Sequence, residues 1–524
     1  MGEFLGSLWG FFVSHRQEIA TQTLEHLGLT LVALTLATLV GLVIGIGLTR
    51  YRQMSGNVIG IVSAIQTIPS IALLGFLLPV LGIGVVPAIV ALFLYALLPI
   101  VQNTFTGIDG VNPTVKEAAK GLGMPDGQVL FKIELPLAVP VIFAGIRTAT
   151  VTTVGVATLC ALVAAGGLGE FIFRGISLNN PEMLLAGAIP AAGLALLLDF
   201  LLGKLQHNIQ TLFKPILIGA LGLVVLSGWF VMSVVFSSPG FTAGFPAEFV
   251  ERADGYRGLV TRYNLPAFDT VELESGLAFQ ALKEKKVDLI SGDSTDGRIQ
   301  AYDLVILKDD QNYFPPYYAA PLIRNQTLRK YPEIQPILAK LVGKISDQEM
   351  ADLNYQVDQL QQSPNQVAQT FLTQLGLKTS TARQGKPDIL IGGKKFTEQY
   401  ILAELITILI ENYTGLNVES KTGLGGTKIA FEALIKGEID LYPEYTGTGF
   451  LVILKPDEKT QKAIISDKDQ VLDYVRQQSN KIYDLSWLEP FGFNNTYALM
   501  MRKEDAERLN ISSITDLKRY LENR

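Results

Sequence analysis

The sequence predicts a two-part protein: a polytopic α-helical membrane domain followed by an α/β domain outside the membrane. The 524-residue chain has a mean hydropathy of +0.31 and only 18% charged residues, which is unusual for a soluble protein. The apolar excess lies before about residue 237, and apolar runs alternate with amphipathic stretches after it. We therefore expect a membrane domain over 1–236 and a second domain over 241–524.

The first part contains repeated apolar stretches that are long enough to cross a bilayer. Many of them reach about 20 residues and few charges interrupt them, so a buried soluble core explains them poorly. The sequence therefore predicts about six spans, over 27–48, 57–80, 84–107, 137–160, 183–203 and 214–236.

Basic residues set the orientation of these spans, because cytoplasmic loops are enriched in Lys and Arg. They lie in alternate loops, at Arg50, Arg52, Lys116, Lys120, Lys132, Lys204, His207 and Lys214. The three loops share one side, so the N-terminus and everything after Phe236 are expected outside the cytoplasm. The localisation that follows is that of a multi-pass membrane protein.

The loop 117–136, between the third and fourth spans, carries the sharpest local pattern of the first part. Small residues, two glycines and an amphipathic segment ended by Pro136 predict a compact helix-turn-helix whose small face fits a groove on a partner. An ordinary amphipathic loop explains the same residues equally well.

The spacing of this loop resembles the coupling motif of bacterial ABC importer permeases. The residues that carry the resemblance are Glu117, Ala118, Ala119, Gly121 and Pro136. The stretch at 65–79, IQTIPSIALLGFLLP, is similar to the osmoprotectant branch of that family. The resemblance implies a homodimeric permease in lipid with a pair of cytoplasmic ABC ATPase subunits docked on the loop. The chain has no Gly-x-x-x-x-Gly-Lys-Ser/Thr loop, so a separate subunit must supply the ATPase.

The second part alternates strand-like runs with helical patterns, which favours an α/β fold with mostly parallel strands. The strand-like runs are 287–290, 304–307, 389–391, 439–442 and 497–500. Tyrosines cluster in its loops, and rings of this kind suit a quaternary ammonium ligand, which aromatic faces attract by about 0.5–2 kcal/mol per contact. A carboxylate on the same ligand would need a donor fork or helix N-termini, and Arg252 or a lysine at 394–395 could serve.

Several segments of the second part together resemble a substrate-binding protein of the glycine betaine, choline and carnitine type. They are 249–256, 294–299, 309–317, 392–399, 425–427, 440–448 and 493–498. The resemblance implies a two-lobed periplasmic-binding-protein domain of type II, closing on its ligand like a hinge. It also implies cage aromatics at Tyr317, Tyr445 and Tyr497 and polar ligand contacts at Arg252, Lys394 and Thr448.

One position departs from that family, which often has an aromatic residue where this chain has Asp293. The acid is either a solvated loop residue or a counter-ion that faces a cationic ligand in place of one aromatic wall. The second alternative puts glycine betaine in doubt and admits choline, carnitine, ergothioneine-like betaines or a basic amino acid.

The family segments also occur in a rotated order. The later half, 241–377, precedes the earlier half, 387–524, and a polar linker at 378–386 joins them. We expect one circularly permuted domain whose two ends, near Thr242 and Arg524, share a lobe. The alternatives are two half-domains exchanged between chains of a homodimer, or a fragment of a longer chain with tandem binding domains.

These patterns together predict a fused permease and receptor of an ABC importer for a small quaternary ammonium solute. The alternatives are a ligand-gated channel or sensor, or an importer for another amine or amino acid. One cysteine and three histidines argue against a metal centre, and the net charge of −6 argues against a nucleic-acid partner. We expect no cofactor, no catalytic residue and no enzymatic activity, and the sequence does not identify the solute.

Overall fold

The computed structural model describes residues 2–178, 180–207, 222, 240–252, 254–379 and 385–524. Within them the chain forms two units, one before residue 208 and one from residue 240 onward. The sixth predicted span, 214–236, and most of the linker 378–386 lie outside the described residues.

The membrane unit is helical throughout its described part. Its helices are α1 Gly2–Ser14, α2 Arg16–Arg50, α3 Arg52–Thr67, α4 Ser70–Leu81, α5 Val85–Asp109, α6 Pro113–Gly121, α7 Asp126–Val129, α8 Leu135–Ala157, α9 Gly169–Ser177 and α10 Pro181–His207, with a π-helix at Leu130–Glu134 and a 3₁₀-helix at Thr158–Val163. Among the described residues four helical segments are long and apolar enough to span a membrane: 16–50, 85–109, 126–163 and 181–206.

The second predicted span is broken. Helices α3 and α4 pass the same test only as a pair, and they meet at an angle of 95°. Ile68 is extended, with ψ 127°, because the ring of Pro69 excludes the helical conformation from the residue before it. The stretch 57–80 is therefore a bent pair of helices, a broken span or a re-entrant loop.

Helix α5 lies between α2 and α8 at very short range, and glycines make this possible. A Cβ atom on Gly45 of α2 would lie 2.5 Å from the Cβ of Thr104 on α5, and one on Gly145 of α8 would lie 2.6 Å from the carbonyl oxygen of Pro99. A side chain at either position would push the helices apart.

The loop 117–136 is helical, but its second piece does not end at Pro136. Helix α6 stops at Gly121, and Gly123 turns the chain with φ +81°. From Asp126 the chain stays helical through the π-helix into α8, with Pro136 inside the run. The wider π-turn, in which Leu135 N–H donates to Leu130 C=O, precedes a proline that has no N–H of its own to pair.

The second unit contains two five-stranded sheets. Its strands are β1 Thr242–Phe245, β2 Asp269–Glu272, β3 Leu289–Asp293, β4 Leu304–Ile306, β5 Ala319–Arg324, β6 Ile389–Gly392, β7 Val418–Lys421, β8 Leu441–Tyr445, β9 Leu485–Trp487 and β10 Tyr497–Arg502. The first sheet has the order β2-β1-β3-β10-β4 and defines lobe 1, and the second has the order β7-β6-β8-β5-β9 and defines lobe 2.

The two sheets have the same design. In each, the first three strands in the order are parallel, and the last two are joined by antiparallel pairing. The prediction of mostly parallel strands was therefore wrong for half of the pairings. The reason is that β5 and β10 are the strands by which the chain crosses from one lobe into the other, and each runs antiparallel to both of its neighbours.

Helices cover both sheets. They are Ala247–Glu251, Tyr256–Tyr263, Ser275–Lys283, Arg298–Ala301, Asn325–Lys330, Ile334–Leu338, Asp347–Asp358, Pro364–Gln374, Thr397–Tyr413, Thr427–Lys436, Thr446–Thr448, Glu458–Ile464, Lys468–Tyr483, Lys503–Leu509 and Ile514–Glu522, with a 3₁₀-helix at Ala339–Leu341 and a π-helix at Gly449–Leu454. Lobe 1 contains an apolar core around Phe245, Phe249 and Leu499, and lobe 2 has a core on each side of its sheet.

Two segments, 307–318 and 488–496, connect the lobes, and they pair with each other. Tyr317 N–H donates to Asn494 Oδ1 at 2.6 Å, and Asn495 N–H donates to Tyr317 C=O at 3.1 Å. The backbone segments that carry Tyr317 and Asn495 are thus fixed together at the boundary between the lobes.

Candidate solute-binding cleft and coupling loop

The predicted ligand residues of the second unit gather where strands of both lobes end or begin. Strand β3 ends at Asp293, β8 ends at Tyr445, and β10 begins at Tyr497, which pairs directly with Asp293. Ligands of open α/β sheets bind outside the carboxyl ends of the strands, which is where these residues lie.

On the lobe 1 side, Arg252 lies beneath two tyrosine rings. Its guanidinium carbon is 5.2 Å from the ring centre of Tyr497 and 5.9 Å from that of Tyr317, and the two rings meet edge to face at 5.7 Å. The guanidinium already has an acid partner, because it makes a two-point ion pair with Asp254 at 2.9 and 2.6 Å. Tyr317 donates a short hydrogen bond to the same carboxylate.

On the lobe 2 side, Lys394 lies against Tyr445 in the same manner. Its Nζ is 5.0 Å from the ring centre of Tyr445 and 2.5 Å from Glu444 Oε1. Glu444 is fully buried within β8 and also accepts a hydrogen bond from Tyr442 Oη at 2.9 Å. Arg252 and Lys394, which the sequence predicted as donors to a ligand carboxylate, are therefore each paired with a carboxylate of the protein itself.

A third acid, Glu398, joins the two lobes. It accepts hydrogen bonds from Thr295 Oγ1 at 2.6 Å, Tyr445 Oη at 2.5 Å and Asn495 Nδ2 at 3.0 Å. Burial raises the pKa of Glu398, and these hydrogen bonds oppose that rise in pKa. Since Thr295 follows β3 and Glu398 begins the helix Thr397–Tyr413, this contact closes one lobe on the other.

Thr427 makes a second contact between the lobes. Its hydroxyl donates to Glu248 Oε1 of lobe 1 at 3.2 Å, and it lies 3.2 Å from Lys394 Nζ. Lys395 and Glu274 form a further ion pair across the boundary at 2.9 Å. The lobes are therefore closed on each other in this structure.

Asp293 forms no ion pair among the described residues, which is also true of Glu398, but unlike Glu398 it accepts no side-chain hydrogen bond there. It is only partly buried by surface area. Loss of hydration, helped by the negative charges of Glu398 and Asp296, raises the pKa of Asp293 to about 7. Burial raises the pKa values of Tyr445 and Tyr497, and the negative charge of Asp293 adds a smaller contribution to both.

Thr448, the remaining predicted ligand contact, is buried at the end of the turn Thr446–Thr448. The neighbouring Gly447 lets the Tyr317 ring pack on this turn, because a Cβ atom there would lie 2.7 Å from the ring. The structure thus brings Tyr317, Tyr497 and Arg252 together, and Tyr445 with Lys394, while Asp293 lies opposite Tyr497 in the pairing of β3 with β10.

Sequence reasoning missed several acids that organise the cleft, namely Glu248, Asp254, Glu398 and Glu444. A signal for two of them exists in the sequence. Glu444 interrupts an apolar strand, and Asp254 follows Arg252 by two residues, and a carboxylate in such a place is rarely buried without a cation.

In the membrane unit, the predicted coupling residues form one exposed surface with one exception. Glu117, Ala118, Gly121 and Pro136 are exposed, whereas Ala119 is buried. Two large apolar side chains on the same segment are also exposed, Leu122 by 84% and Phe131 by 69%. An exposed apolar patch of this kind indicates a protein-binding surface.

A buried acid ties this loop to the spans. Glu134, in the π-helix, pairs with Arg50 at the end of α2 at 2.9 Å and with Lys116 of α6 at 3.4 Å. By contrast, the pair of Lys120 and Asp126 at 3.0 Å is fully on the surface. Glu134 therefore links α2, α6 and α8 mechanically.

A helical membrane unit with an exposed coupling loop, joined to a two-lobed binding unit, defines a class of protein: the permease and receptor of an ABC importer in one polypeptide. Comparison with known families supports this assignment. Residues 237–374 and 387–523 match the substrate-binding domain of the ABC-type glycine betaine transport system, and residues 37–211 match the inner membrane component of binding-protein-dependent transport systems. The chain belongs to this glycine betaine transport family.

Individual relatives agree with the family assignment. The choline transport system permease protein OpuBB of Bacillus subtilis is 46% identical over 199 residues, which cover 38% of this chain and 92% of that protein. EgtU of Helicobacter pylori, an ergothioneine transport permease and binding protein, is 27% identical over 479 residues, covering 64% of this chain and 87% of EgtU. Among solved structures, the MetNI methionine ABC transporter matches 36% of this chain and 95% of its own, at 23% identity and a TM-score of 0.35.

The protein is therefore a multi-pass inner-membrane importer subunit with its receptor on the extracytoplasmic side, and it works with a separate ATPase and a solute. Within the described part of the chain, no group of three or more His, Cys, Asp or Glu is placed to hold a metal ion.

Proposed function

We propose that the protein imports a small quaternary ammonium solute, and that its cleft selects a cationic head group without requiring a ligand carboxylate. The observation that carries the proposal is the charge balance around the tyrosines. Five carboxylates lie around the rings, whereas Arg252 is already paired with two of them, Asp254 and Glu248, and Lys394 with one, Glu444. The carboxylates are Glu248, Asp254, Asp293, Glu398 and Glu444.

A quaternary ammonium group fits this environment for two reasons. It has no N–H to donate, so it needs aromatic faces rather than hydrogen-bond acceptors. Its charge also compensates Asp293, which has no cation of its own among the described residues. A ligand carboxylate would have to compete with Asp254 for Arg252 or with Glu444 for Lys394. We therefore expect choline to bind more tightly than glycine betaine, with carnitine and ergothioneine between them.

The test is calorimetric titration of the full chain in lipid nanodiscs with choline, glycine betaine, carnitine, ergothioneine and arginine. Tyr497→Leu and Tyr445→Leu should each weaken the best ligand at least tenfold, which corresponds to about 1.4 kcal/mol. Tyr263→Phe, a change within the core of lobe 1, is the matched control. Unchanged affinity in both leucine variants, or tightest binding of arginine, would refute the proposal.

We further propose that Glu117, Ala118, Gly121 and Pro136, with Leu122 and Phe131, form the docking surface for the ATPase, and that two copies of the permease in lipid carry a pair of ATPase subunits. Exposure of these residues supports the first point, and the buried Ala119 supports α6 from beneath. Replacing Leu122 and Phe131 by Ser should abolish ATPase co-purification while leaving choline binding intact. Retained co-purification would contradict this surface.

The receptor is, we propose, one permuted domain formed within a single chain. Its two ends share lobe 1, since the ring of Tyr520 in the last helix lies 5.8 Å from that of Phe241, next to Thr242. The alternative, exchange of halves between chains, is tested by co-expressing a chain with Arg252→Ala and a chain with Glu444→Ala. Exchanged halves would rebuild one intact site per mixed dimer and restore choline binding, whereas a single-chain domain would not.

We infer finally that the chain has no enzymatic activity of its own. The lack of a phosphate-binding loop in the sequence supports this for ATP hydrolysis. ATP turnover by the purified chain without its partner would contradict it.

A further inference from the structure

The membrane unit contains an ion pair between two spanning helices. Arg147, near the middle of α8, donates to Asp199 of α10 from Nε at 2.9 Å and from Nη2 at 2.8 Å. Gln206, about two turns further along α10, accepts from Arg147 Nη1 at 3.2 Å. Charged side chains within spanning segments are rare and usually mark a solute or ion pathway.

The surroundings of this pair do not suit lipid. Arg147 is 34% exposed and Asp199 is 36% exposed in this chain, and the neighbouring Thr148 and Thr152 of α8 also expose their hydroxyl-bearing side chains. The outer residues Leu196 and Phe200 of α10, in contrast, are large and apolar, as a lipid-facing surface requires. Hydrocarbon contact at the polar side would be costly, so that side faces water or protein.

A groove of about 440 Å³ opens beside the pair. Its lining consists of Ala144, Arg147, Thr148, Val151, Thr152, Asp199 and Gln206. This volume lies within the range of about 300–1,000 Å³ that is typical of small-molecule sites. The groove combines an anion, a cation and an amide with small hydroxyl and methyl side chains, which leaves space next to both charges.

We propose that this groove is a transit site for the solute within the permease. Asp199 receives the cationic head group, and Arg147 with Gln206 holds the oxygen acceptor of the same molecule, whether a hydroxyl group or a carboxylate. In the empty site the two side chains neutralise each other, and the solute replaces each partner when the pair opens. The partial exposure of both side chains makes this exchange cheaper than for a buried pair. The proposal rests on the proposed function, because it takes the same solute class.

The first test is ATP-driven choline uptake by the complete transporter in proteoliposomes. Asp199→Asn and Arg147→Gln should each slow uptake at least tenfold, while choline affinity of the receptor and ATPase assembly stay as in the unsubstituted chain. Lys204→Gln is the matched control, since it removes a charge from α10 outside the groove. Uptake within twofold of the unsubstituted rate in Asp199→Asn would overturn the proposal.

The exchanged pair, Arg147→Asp with Asp199→Arg, separates a transit site from a structural link between α8 and α10. A structural link should be restored by the exchange, whereas a site with a defined solute orientation should not. Recovery of more than half of the uptake rate would therefore overturn the proposal.

A direct occupancy measurement makes the result independent of the receptor. Thr148→Cys places a thiol in the groove, and the chain's own Cys160 is buried. In a chain that also carries Tyr497→Leu, millimolar choline should slow the labelling of this thiol. If choline leaves the labelling rate unchanged, only the transit site is refuted. If the receptor of the unsubstituted chain does not bind choline at all, the proposed function is refuted.

Discussion

The receptor and the membrane unit each contain a two-point arginine–aspartate pair, in opposite settings. Arg252 and Asp254 are two residues apart, nearly completely buried and covered by tyrosine rings. Arg147 and Asp199 join two helices and are each about one-third exposed beside a groove. A buried pair is expensive to open and so holds its surroundings in place, whereas an exposed pair can exchange partners. The same chemistry thus serves as scaffold in one unit and, we propose, as binding site in the other.

Removing the acid of the buried pair should have the largest effect. Asp254→Ala leaves the buried Arg252 with only its longer contact to Glu248, at 3.4 Å, and should lower the free energy of unfolding of the receptor by about 3–5 kcal/mol. Asp303→Asn, in an exposed pair with Lys503 in the same lobe, removes the charge at a left-handed position that asparagine tolerates, and should cost at most about 1 kcal/mol. Hydrogen exchange of receptor peptides in the full chain measures both. Equal losses of unfolding free energy in the two variants would contradict the distinction between the buried and the exposed pair.

The coupling loop offers the same contrast within one segment. Glu134→Gln removes the buried partner of Arg50 and Lys116, so two cations remain side by side and the link from the loop to the spans is lost. We expect uptake to fall at least tenfold while ATP hydrolysis continues. Asp126→Asn, in the exposed pair with Lys120, should change uptake less than twofold. Similar losses in both variants would show that burial is irrelevant to coupling.

Asp293 sharpens the comparison, because it is a cleft acid with no cation partner among the described residues. Its pKa of about 7 means that it loses its proton as the pH rises from 6 to 8, so choline affinity should rise over that range. Asp293→Asn should remove this pH dependence and weaken choline about tenfold at pH 8, or ~1.4 kcal/mol. Calorimetry at pH 6, 7 and 8 measures it, and an unchanged pH profile in the variant would contradict the role.

The raised pKa of Asp293 also affects the stability of the receptor. The pKa of Asp293 rises from 3.8 to about 7 on folding, so the folded state holds the proton more tightly. The contribution to stability is therefore greatest below pH 4 and declines as the pH rises to about 7. Asp293→Asn should stabilise the empty receptor at pH 8 although it weakens choline binding, and a lower melting temperature would contradict this.

The smallest effect is expected at the contact between the lobes. Thr427→Val removes the hydroxyl that donates to Glu248 and should weaken choline two- to tenfold, because a hydrogen bond contributes about 0.5–1.5 kcal/mol to closure. Thr427→Ser keeps the hydroxyl and serves as control. If serine and valine weaken binding equally, the hydrogen bond is not what stabilises the closed form.

Much of the fold could be predicted from local pattern. Four of the predicted spans, which were recognised by length and hydropathy, coincide with long apolar helices in the described part of the structure. The break at Pro69 and the continuation through Pro136 were harder, since proline ends a helix in one context and is accommodated by a π-turn in another. The predicted strand direction was wrong for half of the pairings. Strands β5 and β10 run antiparallel to their neighbours because the chain crosses between the lobes at these strands, which their own sequences do not indicate.

The candidate binding sites likewise divide into features that the sequence predicts and features that it does not. The sequence alone determined which residue types are present and where strands and loops alternate, but it placed Tyr445 and Tyr497 in loops, whereas the structure has them at strand ends. Only the tertiary structure decided which polar groups meet: Lys394 with Glu444, Thr295 with Glu398, and Arg147 with Asp199. The physical reason is that periodicity records how each residue is buried relative to its own helix or strand. The partner of a buried charge, in contrast, is set by the packing of segments that are distant in the chain.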